Sequence, residues 1–118
     1  MQKWKPNDCG VYSEGHNDLV FTGKHGKAMI ILVYCDDGFW RFGLDADLKD
    51  TTNTYHGFGF YPAVEHERFQ TREVCLEVAR MELKAWLSKD RGRNPKGVSE
   101  VAWWIDSMNP KSAQLSLF

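Results

Sequence analysis

The sequence predicts an α+β fold: an antiparallel three- to four-stranded β-meander packed by one long α-helix, plus a short C-terminal helix and a flexible tail. Three observations carry this expectation. Short apolar runs rich in β-branched and aromatic residues, separated by glycine and aspartate turns, fill residues 19–61. One long stretch with helical spacing follows at 72–89, and a shorter one ends at Asn109-Pro110.

Residues 1–17 carry Pro6, Gly10 and Gly15 and read as an irregular arm, tied to the body by Trp4, Val11 and Tyr12. Residues 19–22 form a short strand closed by a turn at 23–26. The nearly unbroken apolar run 28–34 reads as a central strand. Asp36-Asp37-Gly38 supplies a hairpin turn, with Gly38 free to take positive φ. Residues 39–45 alternate, with Trp40, Phe42 and Leu44 facing one way and Phe39, Arg41, Gly43 and Asp45 the other. The polar stretch 46–54 reads as a loop. A last strand at 55–61 sets His56, Phe58 and Phe60 on one face, and Pro62 ends it.

Thr71 is the expected N-cap of the long helix. Glu73, Glu77, Arg80 and Lys84 form a polar stripe, opposed by Val74, Cys75, Val78, Ala79, Leu83, Trp86 and Leu87. Glu82 falls inside that apolar arc, either as an edge carboxylate reaching water or as a buried partner for Arg or His. Residues 90–97 make a basic break. The second helix spans 99–108, capped by Ser99, with Val98, Val101, Ala102, Ile105 and Met108 on one side. Trp103 and Trp104 point about 100° apart, so either this helix is covered on two sides or one Trp is exposed. Residues 1–109 thus form a single domain and 110–118 a tail.

The chain has 118 residues and a formal charge of −1, so no global field favours nucleic acid or membrane. The three cysteines, Cys9, Cys35 and Cys75, are widely spaced and odd in number. With no signal peptide or membrane-spanning run, they read as reduced thiols of a cytoplasmic protein. No Cys-x-x-Cys or His-x-x-x-His pair exists, and no metal or other cofactor is expected; Glu65-His66-Glu67 comes nearest to a ligand cluster. The chain lacks a phosphate-binding glycine loop and a dinucleotide fingerprint. Cys9 stands beside no base, so a small thiol enzyme is the weakest reading and no enzyme is expected.

Nucleic-acid contact has more support. Lys89, Arg91, Arg93 and Lys96 lie close together, with Lys84 about a turn earlier, and such a run can hold phosphates without reading sequence. Phe39 and Tyr61 on an exposed sheet face, beside Arg41, would add base stacking. A solvated linker and ordinary sheet side chains account for the same residues.

The tail reads Gln114-Leu115-Ser116-Leu117-Phe118. It resembles the peptide by which bacterial replication and repair proteins hold the DNA sliding clamp. In that family a Gln, a branched apolar residue, a small or acidic residue and then Leu-Phe enter a hydrophobic groove, and all five positions here fit. Docking orders a flexible peptide, so a few anchors must carry the affinity, and Phe and Leu each gain roughly 1.5–3 kcal/mol on burial. A strand packed on its own domain is the structural alternative.

The order of β-meander and then helix resembles the core of double-stranded-RNA-binding-like domains. Residues 28–118, with Trp40-Arg41-Phe42-Gly43, Thr71-Arg72-Glu73 and the tail, loosely resemble small proteins of bacterial mobile elements. These resemblances imply a non-enzymatic adaptor of DNA replication or repair, monomeric or weakly oligomeric and without a membrane partner. Its body would touch DNA or a second protein. The rival is a small nucleic-acid-binding module with a self-packed tail.

Overall fold

The structure, a computed structural model, describes residues 1–49, 55–90 and 95–108. Four strands, β1 (Asn17–Thr22), β2 (Gly26–Tyr34), β3 (Trp40–Lys49) and β4 (Tyr55–Phe60), precede helices α1 (Arg72–Asp90) and α2 (Pro95–Ser107). Strand order is β1-β2-β3-β4 and every neighbouring pair is antiparallel, which makes the expected meander. At the β2–β3 hairpin the Cys35 amide donates to the Phe39 carbonyl at 2.8 Å, and Gly38 adopts φ 83°. A side chain at Gly38 would strain that left-handed turn.

The alternation of Trp40, Phe42 and Leu44 continues through Ala46 and Leu48, all buried. Residues 46–49 are therefore strand, not the expected loop; the apolar partners of Asp45 and Asp47 on the opposite face hold the backbone extended. Residues 50–54 of that expected loop lie outside the described residues. The core face of the sheet joins Ile30, Leu32, Phe42 and Leu44 to Cys75, Ala79, Leu83 and Leu87 of α1 and to Val98, Val101 and Ile105 of α2 in one cluster. Both helices pack on the sheet.

The Thr71 hydroxyl accepts the Val74 amide at 3.2 Å, the expected cap. Arg80 departs from the expected polar stripe: it is 5% exposed. Its guanidinium donates to the Ile105 carbonyl at 3.1 and 2.9 Å and to Glu77 at 2.6 Å. It thereby satisfies a carbonyl in the last turn of α2 that has no partner within its own helix. Val74, expected on the apolar arc, is exposed, and Glu82 is exposed at the helix edge.

Helix α2 begins at Pro95, four residues ahead of the expected Ser99. Proline suits the first helical position, where its missing donor costs nothing. Gly97 is buried, and a Cβ there would come within 2.7 Å of the His25 carbonyl. Trp103 is 67% exposed, whereas Trp104 stacks on Phe21 at 5.7 Å. Among the described residues the helix is covered on one side only, which decides the question the Trp pair poses.

The opposite face of the sheet is covered at one end by the arm, which Trp4, Val11 and Tyr12 tie to the body as expected. Tyr12, Ile31, Val33 and Cys35 form a second buried cluster, flanked by Trp4 and Met29. The Trp4 amide donates to the Tyr34 carbonyl and its carbonyl accepts the Asp36 amide, both at 2.9 Å. Val11 bridges Ala63, and the Tyr12 amide donates to the Pro62 carbonyl at 2.9 Å. Among the described residues no helix is long and apolar enough to cross a membrane.

Candidate partner-binding surfaces

The tail Gln114, Leu115, Ser116, Leu117 and Phe118 lies outside the described residues, as do Arg91 and Arg93 of the basic run. Lys89 lies in the last turn of α1 and Lys96 in the first turn of α2, both exposed, so the two cations flank the α1–α2 junction. Lys84 is held by Asp106 at 2.8 Å. The start of α2 sits against the β1–β2 turn. Glu100 accepts the His25 amide at 2.8 Å and pairs with its Nδ1 at 2.6 Å, while His25 accepts the Lys49 amide at 2.9 Å. Partial burial opposes the Glu100 charge, but the His25 bonds outweigh it and hold the carboxyl below its ordinary range.

Arg41 belongs to neither the junction nor an exposed face. It is 6% exposed, near the start of β3, about 20 Å along the strand from the end where α2 begins. It donates to Asp37 at 3.2 and 3.0 Å, to the Tyr12 hydroxyl at 3.4 Å and to the His66 carbonyl at 3.4 Å. Its carbon centre lies 5.6 Å from the Tyr12 ring centroid. Burial opposes ionisation of Asp37, yet the Arg41 bonds and the Phe39 amide pull its carboxyl below the ordinary value. Arg41 is thus an internal strut under the arm, because Asp37 and Tyr12 neutralise and cover it. Its expected aromatic companions are occupied elsewhere. Phe39 lies under Arg68 at 4.3 Å, and Tyr61 stacks with His16 at 5.7 Å.

Beyond the arm, nothing among the described residues covers the second face. Cross-strand register sets Val20, Met29, Asp45 and Gly59 in one row, and Thr22, Lys27, Asp47 and Gly57 in the next. Val20 is 62% and Tyr61 59% exposed. Two hollows of about 140 and 180 Å³ share Met29 and Asp45; one reaches Val20 and Asp47, the other Ile31 and Tyr61. Reading 46–54 as a loop concealed this surface. The signal was Asp45-x-Asp47 continuing the alternation of β3, together with Gly57-x-Gly59 in the strand beside it.

The remaining chemistry-bearing groups are dispersed. Burial pushes the Cys75 thiol up to about 12 and raises that of Cys35, so both stay protonated; Cys9 is exposed. The Ala63 amide donates to His66 Nδ1 at 3.2 Å. Glu82 lines a surface hollow of about 220 Å³ with Phe42, Phe60, His66 and Glu67. Among the described residues no three His, Cys, Asp or Glu side chains converge to hold a metal ion. No protein-family model, curated protein or solved structure matches this chain.

Proposed function

We propose that this protein is a non-enzymatic adaptor of bacterial DNA replication or repair, acting in the cytoplasm, which takes hold of the sliding clamp through Gln114–Phe118. The observation that carries the reading is the full fit of Gln114-Leu115-Ser116-Leu117-Phe118 to the clamp-binding pattern. Leu117 and Phe118 are the anchors, and the Gln114 amide offers donors and an acceptor to the groove rim. From Met108 to Gln114 the chain can span about 20 Å, enough for the peptide to enter a groove while the body stands clear. Lys89 and Lys96 at the helix junction give weak phosphate contacts to DNA threaded through the clamp, which tethering strengthens through effective concentration.

A single docked peptide gives micromolar affinity, about −8 kcal/mol. The test is a titration of purified bacterial clamp with the full chain and with a Leu117→Ala/Phe118→Ala variant. Saturable binding in the micromolar range that the double variant loses supports the reading. No saturation below about a millimolar for the full chain overturns it.

A further inference from the structure

We propose that the open half of the arm-side sheet face docks an arginine-bearing, partly apolar segment of a partner protein. This surface lies on the body and does not depend on the clamp reading.

The face carries exposed apolar area, covered among the described residues only where His16 stacks on Tyr61. Val20 and Tyr61 stand exposed on either side of half-buried Met29, and the two hollows meet at Met29 and Asp45. Each hollow therefore combines an apolar floor with a carboxylate rim. That combination suits a long aliphatic stem ending in a cation.

Charge selects the occupant further. Asp18, Asp45 and Asp47 project from this face, and the lysines on it, Lys27 and Lys49, stand at the Asp47 end. Lys27 meets Asp47 at 3.9 Å. Asp45, on an inner strand, has no hydrogen-bond or ion-pair partner among the described residues, and neither has Asp18. Aspartate is a poor strand former, so two of them in β3 with so little compensation mark a face shaped by something outside it. The same carboxylates repel a phosphodiester backbone, which directs nucleic acid away from here.

Arginine fits better than lysine. Its planar fork grips a carboxylate with two parallel bonds and stacks on an aromatic ring, whereas an ammonium is a point charge. The covered half of the same face already uses this chemistry: Arg41 forks onto Asp37 and lies beside the Tyr12 ring. Asp45 and the side of the Tyr61 ring not stacked on His16 offer the open half the same pair of groups without the arginine. Opposite Asp45, Gly59 leaves room that a side chain would fill, since a Cβ there would sit 3.0 Å from the carboxylate. The rim thus stays open to a guest.

The probe is a blocked pentapeptide of alternating leucine and arginine, with lysine-for-arginine and glutamate-for-arginine versions. It is titrated into the full-length protein at low ionic strength while backbone amide shifts are followed. The expected result is saturable shifts confined to residues around Val20, Met29, Asp45 and Gly59. Affinity should fall about tenfold in Asp45→Asn and measurably in Tyr61→Ser. The lysine peptide should bind less well and the glutamate peptide not at all. Unchanged amide spectra away from the substitutions show that both variants keep the fold. Absent shifts, shifts on another face, or undiminished binding by Asp45→Asn overturn the proposal. Concentration-dependent shifts of this face in the protein alone would give it to a second copy of the chain, and shifts with a short DNA duplex would give it to nucleic acid. Either result also overturns it.

Discussion

The two faces of the sheet are closed by different means. The helical face meets two helices whose apolar residues recur every turn, so Cys75, Ala79, Leu83 and Leu87 bury against strands along their full length. The arm has no such period. It is held by a few backbone bonds at Trp4, Tyr12 and Val64, by the Tyr12 side chain, and by Arg41 reaching up from β3. Periodic cover gives a continuous dry core. Irregular cover gives local anchorage and leaves open whatever the anchors do not reach, here the area around Met29 and Asp45.

The largest test of this contrast is Leu83→Ala on the helical face. Leu83 is fully buried, and its truncation should cost about 3–5 kcal/mol in urea-induced unfolding. On the arm face Arg41→Met should cost less, about 2–3 kcal/mol, because the stranded Asp37 carboxylate retains partial access to water. The pH dependence sharpens this point. The Asp37 carboxyl is depressed in the folded state from an ordinary 3.8, so its contribution is present above that value and is lost as pH falls through the folded one. The acid limb of the stability curve should therefore flatten in Arg41→Met.

Thiol labelling compares the faces within one molecule. Cys35 lies under the arm and Cys75 on the sheet-facing side of α1, both fully buried. If the arm opens on its own, Cys35 is labelled roughly tenfold or more faster than Cys75, and Cys9 at once. Equal rates for Cys35 and Cys75 would show arm and helices opening as one unit. Glu100→Gln is smaller, about 1 kcal/mol, with faster amide exchange confined to the β1–β2 turn and the start of α2. In the wild type this latch weakens as pH falls below the ordinary 4.5 of Glu100 towards its lower folded value. Smallest of all, Tyr61→Ser should change stability by no more than about 0.5 kcal/mol.

What was legible in the sequence follows the same division. Strand alternation from Trp40 to Leu44, the Gly38 turn and the Thr71 cap are local signals, and local physics decides them. The extension of β3 to Lys49 was written in Ala46 and Leu48, but the aspartates between them read as loop. The early start of α2 was signalled by Pro95 and masked by Gly97, whose role is a close approach to His25, distant in sequence. Arg41 and Arg80 look like surface cations because their partners lie elsewhere in the chain: Tyr12 and the His66 carbonyl for one, the Ile105 carbonyl for the other. The open acidic face needed both the strand extension and the β3–β4 register before it could be seen.

A load arriving through the chain beyond Met108 meets the last turn of α2 first. An unsupported helix end unravels residue by residue, each step releasing about one hydrogen bond. Here that turn is stapled crosswise, by Arg80 to the Ile105 carbonyl and by Lys84 to Asp106 at 2.8 Å. Tension is passed sideways into α1, whose buried row is keyed into β3. To fail, the joint must slide one packed element past another, breaking many contacts together instead of peeling them singly. If the proposed tail contact is pulled, it should therefore part before the last turn of α2 comes loose.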